Sequence, residues 1–371
     1  MVKIAVDAMG GDRAPDAVVE GAILAAADLD VEIVLVGRPE AIEPRLARGK
    51  FDPSRIRVVP AAEVVLMDES PSTALRKRDS SLKVAYELMR RGEVEAVVSA
   101  GNSGAMMALG MFVVGNLPQV DRPAIAVVLP TPGKGTIIID AGANVDCKPR
   151  QLVQFGVMGA IYSQQVLGVV SPRVGVLSNG EEESKGNDLT RATSAELAQT
   201  SLNYIGYVEG RDLFTDKVDV VVCDGFTGNV ALKTLEGLAG FFGRMLKGAF
   251  RETALARLGY LLSRGPLLRA YRRLDYTEYG GAPLLGLNGV AIVAHGGSGP
   301  KEIKNAARVA KEAVAHDVNR RISEVLSQGD SAERGKEPPR IWQRVKSKLD
   351  RLGGKAAQET PGKESKGGGK V

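Results

Sequence analysis

Cysteine, aromatic residues and long apolar runs are all scarce in this sequence, and each shortage excludes a class of protein. Its two cysteines, Cys147 and Cys223, cannot build a disulfide framework or a zinc site, and they suit a reducing cytoplasm. Aromatic residues make up 5% of the chain while glycine occurs 44 times, a balance that favours tight strand-to-helix turns over a β-sandwich. No apolar run approaches the roughly 20 residues of a membrane-spanning helix, and Asp7 interrupts the start before a signal peptide could form.

The positive charge of the chain is concentrated near its C-terminal end. Residues 336–371 contain ten Lys or Arg and four Asp or Glu, a net +6, whereas the whole chain carries +5. The first 335 residues therefore sum to about −1, which gives no reason to expect a nucleic-acid-binding core. We expect a catalytic α/β domain over residues 1–328. Residues 329–371, rich in Gly, Lys, Glu and Ser, are expected to form a basic, disordered tail.

Apolar segments typical of strands alternate with helix-like segments along residues 1–328. The strands are apolar on both faces, which predicts a doubly wound, mainly parallel α/β sheet. Ligands of such sheets bind beyond the carboxyl ends of the strands, so we expect the loops at those ends to share one ligand-binding edge. The predicted strands are VKIAVDA, EIVLVG, RIRVVP, EAVVSA, AIAVVLP, GTIIID, RVGVLS, DVVVCD and GVAIVA.

Three of the loops that follow predicted strands are rich in Gly, Ser and Asn and lead into a helix. They lie within AVVSAGNSGAMM (96–107), VGVLSNGEEESKGND (174–188) and VVVCDGFTGNVALK (220–233). Such loops present backbone N–H groups and a helix dipole, which together bind anions and phosphate in particular. For Asn102 and Ser103 the alternative is a helix cap, and for the early glycine pair it is a tight turn. The positions expected to contact phosphate or substrate are Gly10, Gly11, Asn102, Ser103, Asn144, Asn187, Gly225 and Gly228.

Three further polar residues are candidates for catalysis. Lys185 could place its cation over a phosphate or a developing oxyanion, or it could be a surface lysine that balances the neighbouring glutamates. Asn229 could cap its helix or donate its amide to a substrate oxygen. His295 follows the last strand and precedes a glycine-rich loop, so it is either a catalytic candidate or a structural histidine. A metal site at the glutamates is disfavoured, and so is a Cys147 nucleophile, since no His is near it in sequence.

One segment departs from the α/β pattern and predicts a protruding helical hairpin at residues 240–275. Gly265 and Pro266 predict the break between its two helices. The hairpin carries eight basic residues and one acidic residue over positions 244–273. Leucines with a basic flank predict attraction to an anionic bilayer surface, and a dimer interface is the alternative. The leucines expected at the tip are Leu258, Leu261, Leu262, Leu267 and Leu268.

Taken together, the motifs resemble those of the bacterial phosphate acyltransferases. The resemblance covers residues 1–328 and is carried, in order, by DAMGGD, SPSTALRKRDSS, SAGNSGAMM, IDAGANVDCKP, LSNGEEESKGN, CDGFTGNVALK, YGGAPLLGLNG and AHGGS. It implies a fold similar to those of phosphate acetyltransferases and the isocitrate dehydrogenase-like group. It also implies an enzyme without metal or cofactor that makes acyl phosphate from acyl-[acyl-carrier-protein] and inorganic phosphate for phospholipid synthesis.

The positions of the candidate residues, taken with the chemistry of phosphate attack on a thioester, lead us to assign them hypothetical roles, and only the positions resemble those of the family. Asn102, Ser103 and the loop at residues 225–229 would bind phosphate, which attacks the thioester directly without an acyl-enzyme. Lys185 and Asn229 would stabilise the oxyanion. His295 would protonate the departing thiol or orient phosphate.

The resemblance further implies a cytoplasmic homodimer that associates peripherally with the inner face of the cell membrane. There it would hand acyl phosphate to a membrane glycerol-3-phosphate acyltransferase. Two other classes remain open from the residues alone. One is an NAD- and metal-dependent dehydrogenase of the isocitrate type, and the other is a non-catalytic, membrane-associated scaffold.

Overall fold

Within the part of the chain that the structure describes, eleven strands form a single mixed sheet. The computed structural model describes residues 1–274 and 280–334, with side chains described for 1–267 and 280–327. The strands are β1 (Val2–Asp7), β2 (Val31–Gly37), β3 (Ile56–Pro60), β4 (Ala96–Ser99), β5 (Ala124–Leu129), β6 (Thr136–Ile139), β7 (Arg173–Leu177), β8 (Asn203–Val208), β9 (Val220–Val222), β10 (Ala282–Leu285) and β11 (Val290–Val293). Their order across the sheet is β3-β2-β1-β4-β11-β10-β5-β6-β9-β7-β8.

Helices cover both faces of this sheet. Val97 packs in a core cluster with Leu82 and Met106, whereas its neighbour Val98 packs on the other face with Val18 and Ile303. Strand residues buried on both faces are what a doubly wound sheet requires, so the predicted fold class is confirmed. The helices are α1 (Asp16–Asp28), α2 (Pro39–Leu46), α3 (Pro71–Arg76), α4 (Ser81–Arg90), α5 (Ser103–Val113), α6 (Pro149–Gln165), α7 (Asp188–Leu197), α8 (Gly225–Glu252), α9 (Ala254–Leu274), α10 (Pro300–Ala315) and α11 (Val318–Arg334).

The sheet changes direction at its centre. Strands β1 to β4 and β11 form one parallel block, and β6 to β9 form a second. Between the blocks lie β10 and β5, each antiparallel to both of its neighbours. The two blocks therefore point in opposite directions. The predicted single ligand-binding edge is wrong, because the loop after β4 emerges at one edge of the sheet and the loops after β7 and β9 emerge at the other.

Two strands were not predicted from the sequence. β8 lies at the edge of the sheet, is partly exposed, and contains Gly206 with φ of 92°. β10 is four residues long, contains Pro283 and follows two glycines with positive φ, Gly280 and Gly281. Glycine and proline are depleted in strands, so local propensity gives little sign of either strand. Pairing with neighbouring strands makes them strands nonetheless.

The helical hairpin exists, but its turn is not where Gly265 and Pro266 predict it. The break is at Thr253, whose φ of −131° and ψ of 158° are extended, and α9 then continues through Pro266. The Thr253 hydroxyl accepts the Ala256 N–H at 3.0 Å and so caps α9. Pro266 removes only the hydrogen bond to the carbonyl four residues earlier, at Leu262, whose exposed position lets water replace it.

Residues Met1–Leu326 form one compact unit. The second unit, Ser327–Val371, is described only where it forms the end of α11. The predicted tail at residues 329–371 lies almost entirely outside the described residues, so its disorder stays a prediction.

Close packing at the start of α8 generates a prediction about stability. A Cβ at Gly228 would lie 1.9 Å from the carbonyl oxygen of Asp140, whereas a Cβ at Gly237 in the same helix would meet nothing within 4 Å. We expect Gly228→Ala to lower the free energy of unfolding by about 1–3 kcal/mol or more. Gly237→Ala should raise it by up to about 1 kcal/mol, because alanine is the better helix former. Urea unfolding of both variants measures this, and equal stabilities would contradict the close approach.

Candidate active site

One cavity lies where three of the predicted site residues converge. Ser103, Asn229 and His295 all line it, and its volume is about 320 Å³. Ser103 begins α5, Asn229 lies in the first turns of α8, and His295 follows β11. The cavity extends along β5 from Ile125 to Val128. It therefore connects residues that belong to the two opposite edges of the sheet.

The N-terminus of α5 offers hydrogen-bond donors to this cavity. The backbone N–H groups of Ser103 and Gly104 have no partner among the described residues. Unpaired N–H groups are normal in the first turn of a helix, and the positive end of the helix dipole adds to them. This end of the cavity is therefore suited to a small anion such as phosphate.

Asn102 holds this helix start in place and has little left to offer a ligand. Its Oδ1 accepts the Ala105 N–H at 2.9 Å, so the helix-cap alternative is correct. Its Nδ2 donates to the carbonyls of Met67 at 2.8 Å and Glu69 at 2.9 Å. Met67 also lines the cavity, so Asn102 fixes one of the cavity walls.

His295 is exposed at the mouth of the cavity and its ring is oriented by the loop that follows it. The Gly297 N–H donates to Nδ1 of His295 at 3.1 Å. An accepting Nδ1 carries no proton in the neutral ring, which leaves Nε2–H as the donor. His295 is thus set up to donate a hydrogen bond from Nε2.

A buried polar network lies directly behind the α5 loop, and its central serine was not predicted from the sequence. The Ser99 hydroxyl donates to Oδ2 of Asp7 at 2.7 Å and accepts the Gly101 N–H at 3.0 Å. Gly101 lines the cavity. Burial raises the pKa of Asp7, and hydrogen bonds from Ser81 and Ser99 partly offset this. A serine at the end of an apolar strand carries no sequence signal that would have identified it.

Gly10 and Gly11 support this network and lie outside the cavity lining. A Cβ at Gly10 would lie 2.5 Å from Oδ2 of Asp7 and 2.8 Å from Oγ of Ser99. Gly11 has φ of 104° and packs against Ala100. Both glycines allow close approach of neighbouring loops, which fits the tight-turn alternative.

On the other side of the cavity, Asp140 organises the loop after β6. Its two carboxylate oxygens accept the backbone N–H groups of Ile125, Gly142, Ala143 and Asn144, at 2.6–3.1 Å. The Asn144 amide donates to Asp140 at 2.9 Å and to the Pro123 carbonyl at 2.7 Å. Asn144 is buried, and its amide group therefore binds protein atoms.

The first turn of α8 packs tightly on this loop. Gly225 donates its N–H to the Asn144 carbonyl at 2.7 Å, and a Cβ there would lie 2.6 Å from the same oxygen. A Cβ at Gly228 would lie closer still, 1.9 Å from the Asp140 carbonyl oxygen. Both glycines are buried and permit contact between the helix and the loop. The contact holds Asn229 beside Gly142, at the edge of the cavity.

A second cavity lies on the opposite face of this first turn. Its volume is about 450 Å³, and Asn187, Asp224 and Thr227 are among its lining residues. Asn187 caps α7 by accepting the Thr190 N–H at 2.9 Å, and Asp224 caps α8 by accepting the Thr227 N–H at 2.8 Å. Lys185 is half-buried on the loop beside this cavity and lines neither cavity. The structure thus groups Ser103, Asn229 and His295 and leaves Asn187 and Lys185 apart from them.

Comparison with known proteins assigns the chain to a family. The sequence model described as "Fatty acid synthesis protein" matches residues 2–321. A curated relative from Geobacter sp. (strain M21), named phosphate acyltransferase, is 55% identical over 337 residues, 90% of this chain and 96% of the relative. This chain belongs to the phosphate acyltransferase family. It is accordingly an acyltransferase, and family membership counts against the dehydrogenase and scaffold alternatives.

Solved structures support the same fold. A phosphotransacetylase from Streptococcus pyogenes matches with a TM-score of 0.57 and 15% identity, over 86% of this chain and 94% of that one. The EutD phosphotransacetylase from Staphylococcus aureus matches with a TM-score of 0.56 and 16% identity, over 84% of this chain and 93% of that one. At such low identity the likeness concerns the fold alone. It agrees with the predicted similarity to phosphate acetyltransferases.

The cysteines of this phosphate acyltransferase family member are poorly placed for nucleophilic attack. Burial raises the pKa of the Cys147 thiol to about 11, and the nearby Asp140 carboxylate contributes in the same direction. Burial also raises the pKa of Cys223 well above its usual value. A reactive cysteine needs a stabilised thiolate, so the structure argues against a cysteinyl intermediate.

The Asp7–Ser99 pair generates a prediction about pH dependence. We expect Ser99→Ala to lower the free energy of unfolding by about 1–3 kcal/mol, because Asp7 loses one of its hydrogen bonds and the Gly101 N–H loses the Ser99 oxygen that accepts it. A carboxyl whose pKa is raised by folding makes the folded state less stable as the pH rises through that range. Losing the Ser99 hydrogen bond raises the pKa of Asp7 further. The decrease in the free energy of unfolding caused by Ser99→Ala should therefore grow from acidic to neutral pH in urea unfolding experiments.

Ser163→Ala is the matched control for this experiment. Ser163 is as buried as Ser99, but its hydroxyl has no hydrogen-bond partner among the residues that the structure describes. Its removal should change the stability little at any pH. A loss in Ser99→Ala that does not vary with pH would show that the hydroxyl does not interact with an ionising Asp7.

Proposed function

We propose that this enzyme transfers the acyl group of acyl-[acyl-carrier-protein] to inorganic phosphate and so makes acyl phosphate for phospholipid synthesis. The observation that carries the proposal is that Ser103, whose backbone N–H has no partner among the described residues, lines the same cavity as Asn229 and His295. The family name supports phosphate and an acyl donor as substrates. The acyl carrier is supported by the resemblance of the motifs.

The proposed reaction proceeds without a covalent enzyme intermediate. A phosphate oxygen attacks the thioester carbonyl and forms a C–O bond, the C–S bond breaks, and the leaving thiolate takes up a proton. The N-terminus of α5, with Ser103, holds the phosphate in line. The Asn229 amide donates to the oxyanion that forms on the carbonyl oxygen. His295 donates from Nε2 to the phosphate or to the departing sulfur.

The remaining predicted residues lie outside the lining of the first cavity. Lys185 would act from the loop beside the second cavity, where its cation can contribute to oxyanion stabilisation once substrate is bound. The others hold the loops that carry the donors, in the contacts described above: Gly10, Gly11, Asn102, Asn144, Asn187, Gly225 and Gly228.

A turnover assay tests the proposed function. Purified protein is mixed with an acyl-loaded acyl carrier protein, with and without inorganic phosphate, and acyl phosphate is measured. We expect product only with phosphate, and a loss of about 100-fold or more in turnover for Asn229→Ala and for Lys185→Ala, since each removes a donor to the transition state. Normal turnover in both variants would rule out their assigned roles.

Two cysteine variants serve as controls for direct attack. Cys147→Ser and Cys223→Ser should each retain turnover, and mass spectrometry after mixing with the acyl donor alone should show no added acyl mass. A stably acylated cysteine would instead establish an acyl-enzyme. If the parent chain forms no phosphate-dependent product in the turnover assay, the proposed function is rejected as a whole.

The hairpin exposes more apolar surface than a solitary monomer usually carries. On α8 a stripe of residues at helical spacing is about half exposed: Leu238, Phe241, Phe242, Met245 and Leu246. On α9, Leu255 and Leu262 are each 79% exposed, and Leu258 and Leu261 are exposed beside them. The Leu267 side chain is half-buried, and that of Leu268 lies outside the described residues.

We propose that these two surfaces have different partners. The α8 stripe would pair with the same stripe of a second copy to form the homodimer. The α9 leucines, with Arg257 and Arg264 among them, would contact the anionic inner surface of the membrane and deliver acyl phosphate to a membrane glycerol-3-phosphate acyltransferase. No helix in the described ranges is long and apolar enough to cross a bilayer, so the proposed contact is peripheral.

A pair of variants separates the two surfaces. Leu261→Ser with Leu262→Ser should weaken binding to vesicles of anionic lipid by about tenfold or more and leave the dimer intact, because two exposed leucines lose their burial in the bilayer. Added salt should weaken binding by the parent chain. Phe242→Ser should leave the vesicle-binding surface of α9 unchanged and shift the protein from dimer to monomer, as measured by analytical ultracentrifugation. If the leucine variant becomes monomeric and the parent chain binds no vesicles, α9 is an interface and the membrane proposal is wrong.

A further inference from the structure

The sheet has a gap beside the candidate active site. β10 pairs with β5 only through Leu284–Ile125 and Leu285–Ala124, while its first two residues pair with β11. The second half of β5, residues 127–129, therefore has no strand beside it on the β10 side among the described pairings. The cavity that begins at His295 and Asn229 occupies this gap.

The cavity passes through the sheet in the gap between β5 and β10. Val127 and Val128 are consecutive, so their side chains point to opposite faces of β5, yet both line the cavity. Leu232 lines it from α8 and packs with the core on one face, whereas Tyr162 lines it from α6 and packs with the core on the other. A surface pocket would be lined from one face alone.

Beyond its mouth the passage is predominantly apolar, and the charged groups along it are satisfied by the protein. Ala282 and Val293 continue the apolar lining formed by β5 and α8. Nζ of Lys233 lies 2.8 Å from Oε2 of Glu236, so their charges offset each other. Glu302 accepts the Gly299 N–H at 3.0 Å at the start of α10. A predominantly apolar passage, whose charged groups are paired or hydrogen-bonded within the protein, favours a flexible hydrocarbon over a polar ligand.

We propose that the passage between β5 and β10 is the binding site for the hydrocarbon chain of the acyl donor. The thioester would lie at the mouth, between Asn229 and His295, and the chain would run under Leu232, through the gap, and end near Tyr162. The proposal rests on the proposed function, because it requires an acyl thioester at the mouth. It adds the location of the chain and the residues that limit its length.

Filling the passage tests the proposal. The variants are Leu232→Trp, on the α8 side, and Ala282→Leu, on the β10 side; Val230→Trp is the matched control because Val230 is half exposed and lies outside the lining. The measured quantity is the ratio of kcat/KM for palmitoyl- and butanoyl-loaded acyl carrier protein. Each buried methylene improves binding by roughly fourfold, so displacing a few methylenes should lower the ratio about tenfold or more in both filling variants. Val230→Trp should keep the parent ratio.

An equal decrease in kcat/KM with both acyl donors, and hence an unchanged ratio, would overturn the proposed binding site for the hydrocarbon chain and leave the proposed acyltransferase function intact. Failure of the parent chain to use either donor would instead reject the function. Thermal unfolding checks that the variants fold. As a second measurement, a donor with a photoreactive group at the chain end should label Val128 or Tyr162, and labelling of α9 in place of them would place the chain on the hairpin.

Discussion

The pairing of β10 with β5 through two residue pairs is the constraint on which the rest of the site depends. Because β10 and β5 are antiparallel to each other and to their outer neighbours, the two parallel blocks of the sheet run in opposite directions. In a fully parallel sheet the helix N-termini would all lie at one edge, whereas here they lie at both edges. Because the pairing covers so little of either strand, the sheet opens beside Val127, and the cavity that joins the two sets of helix starts passes through that opening.

Most residues that first suggested a ligand contribute by fixing the backbone. Asn102, Asn187 and Asp224 each give a side-chain oxygen to the first turn of a helix. Gly225 and Gly228 let α8 lie against the loop that Asp140 organises. Rigid positioning of the donors favours anion binding, because donors that are already held in place lose little entropy when the ligand binds. The predicted residues that line the first cavity, and that are proposed to contact substrate there, are Ser103, Asn229 and His295, whereas Lys185 is proposed to act from beside the second cavity.

The sequence of α8 serves two purposes that the structure separates along the helix. Its first three turns place Asn229 and Leu232 on the cavity, and Leu232 also packs against the core. Its later turns carry Phe242 and Leu246 on a surface that none of the described residues covers. The same helix thus connects the proposed chemistry to the proposed partners, and the break at Thr253 sets where the α9 surface begins.

The sequence by itself determined the fold class, the positions of the glycine-rich loops that lead into helices, and the family. Apolar strands such as Ala96–Ser99 and glycine-rich loops are local patterns, and local patterns are set by backbone and side-chain chemistry within a few residues. Tertiary structure alone decided which loops meet. Nothing near Ser99 indicates that Asp7 lies 2.7 Å from it, and nothing near Lys185 indicates that it lines neither cavity. The reversal of the sheet and the course of α9 through Pro266 were decided in the same way, because strand pairing and helix packing join residues far apart in the chain and outweigh local preference.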